Sequence, residues 1–179
     1  MSMFYDLEID RMKSAREAFY KYYQFPFTAS AIKTYSTDGD LRVFDLIYAL
    51  IEGKLELAST GAEPLFQAAW YYNYSAIDKL NGKFNFPCLI IYLFGAHIGF
   101  AGAVWTDTPH VQVLCPVLPL FYHQTDTKMR ERAARCFGAA KKAIIRKLKI
   151  LYERLDFERD PPINFESSPS EGLEHLTLP

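Results

Sequence analysis

The sequence predicts a single α/β (α+β) domain in which helices flank a mixed sheet. The chain has 179 residues, a length that suits one domain with its own core. Half of its residues are hydrophobic and 16% are aromatic, which excludes a disordered chain. Helical and extended patterns follow one another in the order α-β-β-α-β-β-β-α, an order that favours helices packed on a sheet.

The three helices are predicted from apolar spacing and from the residues that end helices. The first covers about residues 6–23, where apolar side chains recur every three or four positions before Pro26. The second starts at residues 61–64, with Pro64 in its first turn, and ends at residues 81–82. The third covers about residues 127–155.

Strand candidates are apolar segments, rich in β-branched and aromatic residues, that lie between turn residues. They are residues 29–35, the long apolar run 41–57, and residues 88–94, 98–106 and 110–114. Residues 159–179 are rich in Pro, Ser and Glu and predict a flexible tail or linker stub. The predicted domain therefore covers residues 1–158.

Composition also bounds where the chain acts. The formal net charge is -1, and Cys88, Cys115 and Cys136 show no CxxC spacing. This pattern favours three reduced thiols in an intracellular protein of the cytoplasm or nucleus. The first six residues lack the features of a secretory signal, and no apolar stretch reaches the roughly 18 residues of a membrane helix. We expect no membrane partner.

A row of charges occupies the second half of the long apolar run. Glu52, Lys54 and Glu56 are two residues apart, so they share one face of a strand. Burying unpaired charges is costly, which leaves a solvated edge strand or a metal site. A carboxylate can bind Mg²⁺, and a lysine two residues on can neutralise charge at a phosphate. Gln67 and Tyr71 are four residues apart and share a face of the next helix. They are either residues of the same site or a polar helix face beside aromatic packing.

The order of E-x-K strand, loop and Q-x-x-x-Y helix resembles the active-site region of exonuclease-like PD-(D/E)XK nucleases. The similarity extends over roughly residues 50–155 and resembles the restriction-endonuclease-like domain upstream of kinase-like domains in fungal, Crinkler-related proteins. It implies a restriction-endonuclease-like fold and Mg²⁺-dependent phosphodiester hydrolysis. The implied catalytic residues are Glu52, which also binds the metal, Lys54, Gln67 and Tyr71. Kinase motifs are missing, and Gly53 replaces the usual apolar residue, which predicts a looser site.

The resemblance also requires a second carboxylate, for which the candidates are Asp40, Asp45 and Asp38, in that order. If the apolar run were one strand, Asp45 would lie roughly 23 Å from Glu52 and face the other way. A hairpin would bring Asp40 closer, although residues 44–47 are poor turn material. Asp40 is therefore predicted as the second metal ligand and as a catalytic residue.

The last predicted helix is amphipathic and basic, with ten of the twenty Lys and Arg residues of the chain. Its apolar stripe, which includes Leu148, Leu151 and Leu155, lies opposite a basic stripe. The basic stripe consists of Lys128, Arg132, Arg135, Lys142, Arg146 and Lys149. Such a stripe can follow a phosphate backbone, so it predicts non-specific nucleic-acid binding. The alternatives are a docking surface for an acidic protein and a solvated helix face.

Three functions stay open from the sequence. They are a metal-dependent nuclease, a non-catalytic regulatory or protein-interaction module of the same fold, and an unrelated α/β binding domain. A carboxylate within about 4–5 Å of Glu52, with Lys54 in the same cleft, would favour the nuclease. Without such a carboxylate the site would be degenerate. Glu17 of the first helix is a further candidate for the missing carboxylate.

Overall fold

The computed structural model describes residues 7–56, 63–77, 79, 84–121, 123 and 125–155. Its helices are α1 (Glu8–Tyr23), α2 (Pro64–Ile77), α3 (Thr127–Ala143) and α4 (Lys149–Arg154), with a π-helical segment, Ile144–Leu148, between the last two. Its strands are β1 (Ala31–Ile32), β2 (Tyr35–Ser36), β3 (Gly39–Val43), β4 (Leu46–Lys54), β5 (Cys88–Phe94), β6 (His97–Trp105), β7 (Pro109–Val113) and β8 (Leu118–Pro119). The predicted tail, residues 159–179, and the predicted end of the second helix at residues 81–82 lie outside the described residues.

The main sheet is mixed and has the strand order β3-β4-β5-β6-β7, with β8 paired to β6. Strands β4 and β5 are parallel and are joined through α2, whereas the other neighbours are antiparallel. A mixed sheet flanked by helices confirms the predicted α+β class. The segment 29–35 is not one strand, because β1 and β2 form a separate two-stranded hairpin.

The long apolar run is a hairpin and not a continuous strand. Strands β3 and β4 pair antiparallel around a turn at Phe44 and Asp45, which have φ angles of 49° and 64°. The prediction that this segment is poor turn material was wrong. Two successive positive φ angles suit a tight hairpin turn, and Asp tolerates that conformation. The Asp45 carboxylate also accepts hydrogen bonds from Arg42 and Lys79, at 2.6 and 2.9 Å.

Side chains alternate along β4 between two apolar clusters on opposite faces of the sheet. Ala49 and Ile51 join the cluster that contains residues of α1, α3 and α4, whereas Leu50 joins the cluster that contains residues of α2. The same alternation directs Glu52 to the α2 face. In the part of the chain that the structure describes, no helix has the length and apolar character needed to span a bilayer.

The C-terminal helix changes its phase at the π-helical segment. Leu151 was predicted in the apolar stripe, but it is 41% exposed, and its neighbour Tyr152 is fully buried. A π-helical turn contains one residue more than an α-helical turn, so it rotates the following residues around the axis. Tyr152 then meets the ring of Phe84 and donates a hydrogen bond to the carbonyl of Pro87.

Candidate active site

The register of the β3–β4 hairpin brings Asp38 next to Glu52. Gly39 lies opposite Ile51 in the ladder, so the residue before β3 meets the next residue of β4. The backbone N–H of Asp38 donates to Glu52 Oε1 at 3.0 Å. In return, the N–H of Gly53 donates to Asp38 Oδ2 at 2.9 Å. Two carboxylates are thereby held side by side by the backbone itself.

Asp40 and Asp45, the two carboxylates ranked above Asp38, have other partners. Asp40 is buried and binds Arg42 at 2.8 Å, together with the hydroxyls of Ser30 and Thr37. These contacts tie the β1–β2 hairpin to β3. Asp45 lies in the turn at the other end of the hairpin. Asp40 was favoured because a hairpin would bring it closer to Glu52, but the observed register places Asp38 beside Glu52.

Glu52 lies in an environment that opposes its charge. Its side chain is only 1% exposed, and its Oε2 atom has no hydrogen-bond partner. Burial, followed by the charge of Asp38, raises the pKa of Glu52 to about 9. Burial likewise raises the pKa of Asp38, and the hydrogen bond from Gly53 opposes that shift. The pair therefore retains a proton near neutral pH unless a cation replaces it.

Lys54 follows on the same strand and is paired with a residue of α1. Its Nζ lies 2.9 Å from Glu8 Oε1, and its side chain is 13% exposed. Burial alone would lower the pKa of Lys54, but the hydrogen bond and charge of Glu8 outweigh it, so the pKa is raised. Glu17, the helical alternative, is exposed and stays outside this group. The acidic residue that α1 brings to the lysine is Glu8.

Helix α2 contributes Gln67 and Tyr71 to the same side of the sheet. Gln67 Nε2 donates to the Tyr71 hydroxyl at 2.8 Å. Burial raises the pKa of Tyr71, and the charges of Glu52 and Asp38 raise it further. The phenol therefore lies close enough to the carboxylates to be affected by their charges. These five residues form one polar group in which Glu52 and Tyr71 are buried and Asp38, Lys54 and Gln67 are half-buried. Asp38, and not Asp40, lies beside Glu52.

Gly53 gives the site its tight connection to α1. A Cβ atom built at Gly53 would lie 2.2 Å from the Met12 sulfur, so only glycine lets the helix come this close. Arg11, on the same helix, donates hydrogen bonds to the carbonyls of Lys54, Leu55 and Gly95, where β4 and β5 end. Gly53 is therefore needed for the close approach of α1 to the end of β4.

The residues present fit a hard divalent cation. Asp38 and Glu52 offer adjacent carboxylate oxygens, and the unpartnered Oε2 of Glu52 needs a positive or donor group. Mg²⁺ keeps several waters and is commonly bound by one or two carboxylates. Within the described ranges, no group of three or more His, Cys, Asp or Glu side chains is gathered for a metal. A metal here would therefore rest on two carboxylates and water.

The basic stripe lies on the other face of the sheet. All six of its side chains are exposed, as predicted from the helical spacing. Two of them form long ion pairs within the helix, Arg135 with Glu131 and Lys149 with Glu153, each at 3.7 Å. Because α3 and α4 contribute their buried residues to the cluster opposite α2, the stripe and the carboxylate pair do not share a cleft.

Sequence reasoning missed Glu8, Arg11 and Met12, which complete the site from α1. The signal in the sequence was weak, because an acidic residue such as Glu8 in the first turn of a helix is ordinarily explained by its favourable interaction with the helix dipole. Comparison with protein-family models, with curated proteins and with solved structures found no match. A functional proposal for this chain therefore rests on the geometry of the site.

Proposed function

We propose that this domain hydrolyses phosphodiester bonds with the help of Mg²⁺, in a site of the PD-(D/E)XK type within a restriction-endonuclease-like fold. The observation that carries the proposal is the pairing of Asp38 and Glu52 two residues before Lys54. The unpartnered oxygen of Glu52 supports a bound cation. Gln67 and Tyr71, on the adjacent helix, complete the wall of the site.

Each residue has a role in this proposal that its surroundings support. Asp38 and Glu52 would hold Mg²⁺, which supplies charge neutralisation and lowers the pKa of a bound water. Lys54 offsets the negative charge that develops on the phosphate. Hydrolysis forms a bond from the water oxygen to phosphorus and breaks the bond to one sugar oxygen. The proton of the water ends on the departing hydroxyl, so the products are a phosphate monoester and an alcohol.

A non-catalytic module of the same fold is the second candidate. The ion pair between Lys54 and Glu8 favours it, because it occupies the lysine that a phosphate would need. In a nuclease this pair has to open, and removal of the Glu8 charge would ease the opening. Hydrolysis that rises in Glu8→Gln supports the nuclease, whereas a stable but inactive variant supports the module.

The decisive experiment measures Mg²⁺ binding and cleavage in the same set of proteins. Wild-type protein should gain thermal stability with added Mg²⁺ and should cleave fluorescent DNA or RNA strands. Glu52→Gln and Asp38→Asn should lose both responses, with cleavage reduced by at least about 100-fold. Glu17→Gln is the matched control, since it removes an exposed carboxylate of α1.

Two outcomes would contradict the proposal. The first is equal Mg²⁺ stabilisation in wild-type protein and Glu52→Gln, which would place the cation elsewhere. The second is a wild-type protein that binds Mg²⁺ at Glu52 but cleaves no single strand, duplex or RNA, which would leave the non-catalytic module.

A further inference from the structure

An exposed group of aromatic side chains borders the carboxylate pair. Helix α2 carries Phe66, Trp70 and Tyr74 four residues apart, and the β1–β2 hairpin adds Tyr35. Phe66 is 70% exposed, Trp70 is 50% exposed and Tyr35 is 41% exposed. Rings that served only the core would be covered. We call these four side chains the aromatic platform.

Three rings of the platform, those of Tyr35, Trp70 and Tyr74, hold one another in place. Trp70 and Tyr74 have ring centroids 5.0 Å apart, and Tyr35 and Tyr74 have centroids 5.6 Å apart. Lys33, which has a positive φ angle of 55° in the hairpin, lies with its Nζ 5.0 Å from the centroid of Tyr74. A preordered surface loses little side-chain entropy when a planar ligand binds to it.

The platform is continuous with the carboxylate site. The ring of Tyr35 lies 6.0 Å from the ring of Tyr71, whose hydroxyl is bound by Gln67. Asp38 follows Tyr35 by three residues, so their Cα atoms are at most about 11 Å apart. A nucleotide adjacent to a phosphate at the carboxylates therefore comes within reach of the rings.

We infer that the aromatic platform binds unpaired bases of a single-stranded nucleic acid beside the phosphodiester at Asp38 and Glu52, an inference that rests on the proposed function. Bases stack on the exposed ring of Trp70, and Lys33 contacts a backbone phosphate. Duplex bases present no free face to an aromatic ring, so the surface selects single strands. Stacking tolerates any base, which makes the binding non-specific.

Affinity at this face depends on stacking more than on charge. The basic stripe lies across the sheet and does not reach a strand bound here. Each phosphate contact on a single strand contributes about -0.7 to the slope of log affinity against log salt. Lys33 is the cation at the ring of Tyr74, while Lys54 and Arg16 lie at the carboxylate pair, so few phosphates are neutralised and the slope is shallow. A protein partner would also use exposed aromatic rings, but it would not require bases.

The test uses the fluorescence of Trp70. The chain contains 2 tryptophans, so Trp105→Phe leaves Trp70 as the sole tryptophan, whose emission is excited selectively over that of tyrosine. The protein is titrated in EDTA, which prevents cleavage, with a thymidine strand, an abasic strand of equal length and a duplex. Quenching by the thymidine strand, without quenching by the abasic strand or the duplex, is the expected result. Because quenching is local to Trp70, binding along α3 does not contribute.

A second readout does not depend on Trp105→Phe. Anisotropy of a labelled thymidine strand is measured in a chain that carries Arg132→Glu, Arg135→Glu and Arg146→Glu, which removes binding along α3. Adding Trp70→Ala should weaken the affinity by about 5- to 150-fold, the range expected for one base–aromatic stack. Tyr22→Ala, which removes a 66% exposed ring of α1, should leave the affinity unchanged.

The outcomes separate this inference from the proposed hydrolysis. If cleavage depends on Glu52 but Trp70 is not quenched, the inference about the aromatic platform is wrong and the proposed hydrolysis still stands. Quenching that persists in Glu52→Gln supports the platform, and it does so even if no variant cleaves. Equal affinity for thymidine and abasic strands overturns the inference.

Discussion

The two faces of the sheet carry charge in opposite ways. On the α2 face Glu52 is only 1% exposed, and at the end of the same strand Lys54 meets Glu8 of α1 at 2.9 Å with 13% of its side chain exposed. On the α3 face they are many and solvated, and Arg135 meets Glu131 at 3.7 Å with 83% of its side chain exposed. A pair in water contributes little, whereas a desolvated pair is strongly perturbed. The number of charges in a segment therefore says less about chemistry than their burial does.

The largest expected effect is on the pH dependence of stability at Glu52. Burial, followed by the charge of Asp38, raises the pKa of Glu52 from the ordinary value of 4.5 to about 9, so the folded state holds a proton that the unfolded state releases. Stability should therefore fall as pH rises between these values, by about 1.4 kcal/mol per pH unit. Glu52→Gln lacks this dependence. Its stability relative to wild type should rise by about 4 kcal/mol from pH 5 to pH 8.

Chemical denaturation at pH 5 and pH 8 checks this, in the absence of divalent cations. Glu17→Gln removes an exposed carboxylate and should follow wild type at both pH values. If the unfolding free energies of wild type and Glu52→Gln differ by the same amount at both pH values, Glu52 is charged throughout. Burial at this face would then not suppress the charge of the carboxylate.

The next effect concerns the α3 face. Reversing Arg132, Arg135 and Arg146 together should weaken binding of duplex DNA at low salt by at least about 100-fold, if these residues contact phosphates. The salt slope should become shallower by about 0.9 for each phosphate that the variant no longer neutralises. The melting temperature should change little, since the three side chains are exposed.

Filter binding over a range of salt concentrations measures both quantities. Lys13→Glu, which reverses an exposed charge of α1, controls for net charge. If the wild-type domain retains neither duplex nor single strand at low salt, the basic stripe is only a solvated surface. Unchanged cleavage of short single strands in the triple variant would show that the two faces act independently.

A smaller effect is expected at the contact between α1 and the site. The Cβ atom of Gly53→Ala would lie 2.2 Å from the Met12 sulfur, and Met12 is buried. Overpacking of this kind costs about 1–3 kcal/mol of unfolding free energy. Adding Met12→Ala should recover part of that cost, because the smaller side chain makes room. Denaturant titration of the two single variants and the double variant measures the coupling, and strict additivity would contradict the contact.

The sequence predicted those elements whose signals are local. Strand β5 runs from Cys88 to Phe94, as expected, because an apolar run is bounded there by Pro87 and Gly95. The Q-x-x-x-Y spacing likewise placed Gln67 and Tyr71 on one face of α2, where they share a hydrogen bond, since the helical period is fixed by backbone geometry.

The parts that could not be predicted depend on contacts between distant residues. The turn at Phe44 and Asp45 is held by Lys79, which lies 34 residues from Asp45. That turn sets the register, and the register selects Asp38. The partner of Lys54 is Glu8, which is 46 residues away. No local pattern carries such pairings, so the second carboxylate was the least predictable part of the site.

The smallest expected effect is a change in stability caused by an alanine on the other face, within the basic stripe. Gly138 lies on the exposed side of α3 between Arg135 and Lys142, and an added Cβ meets no atom within 4 Å. Glycine inside a helix is less favourable than alanine by about 0.5–1 kcal/mol, so Gly138→Ala should stabilise the fold by that amount. Replacing glycine by alanine thus lowers the unfolding free energy at Gly53 and raises it at Gly138. Thermal and denaturant unfolding check the sign. A destabilised Gly138→Ala would mean that this face is covered by another chain in solution, and the stripe would then be an interface instead of a solvated surface.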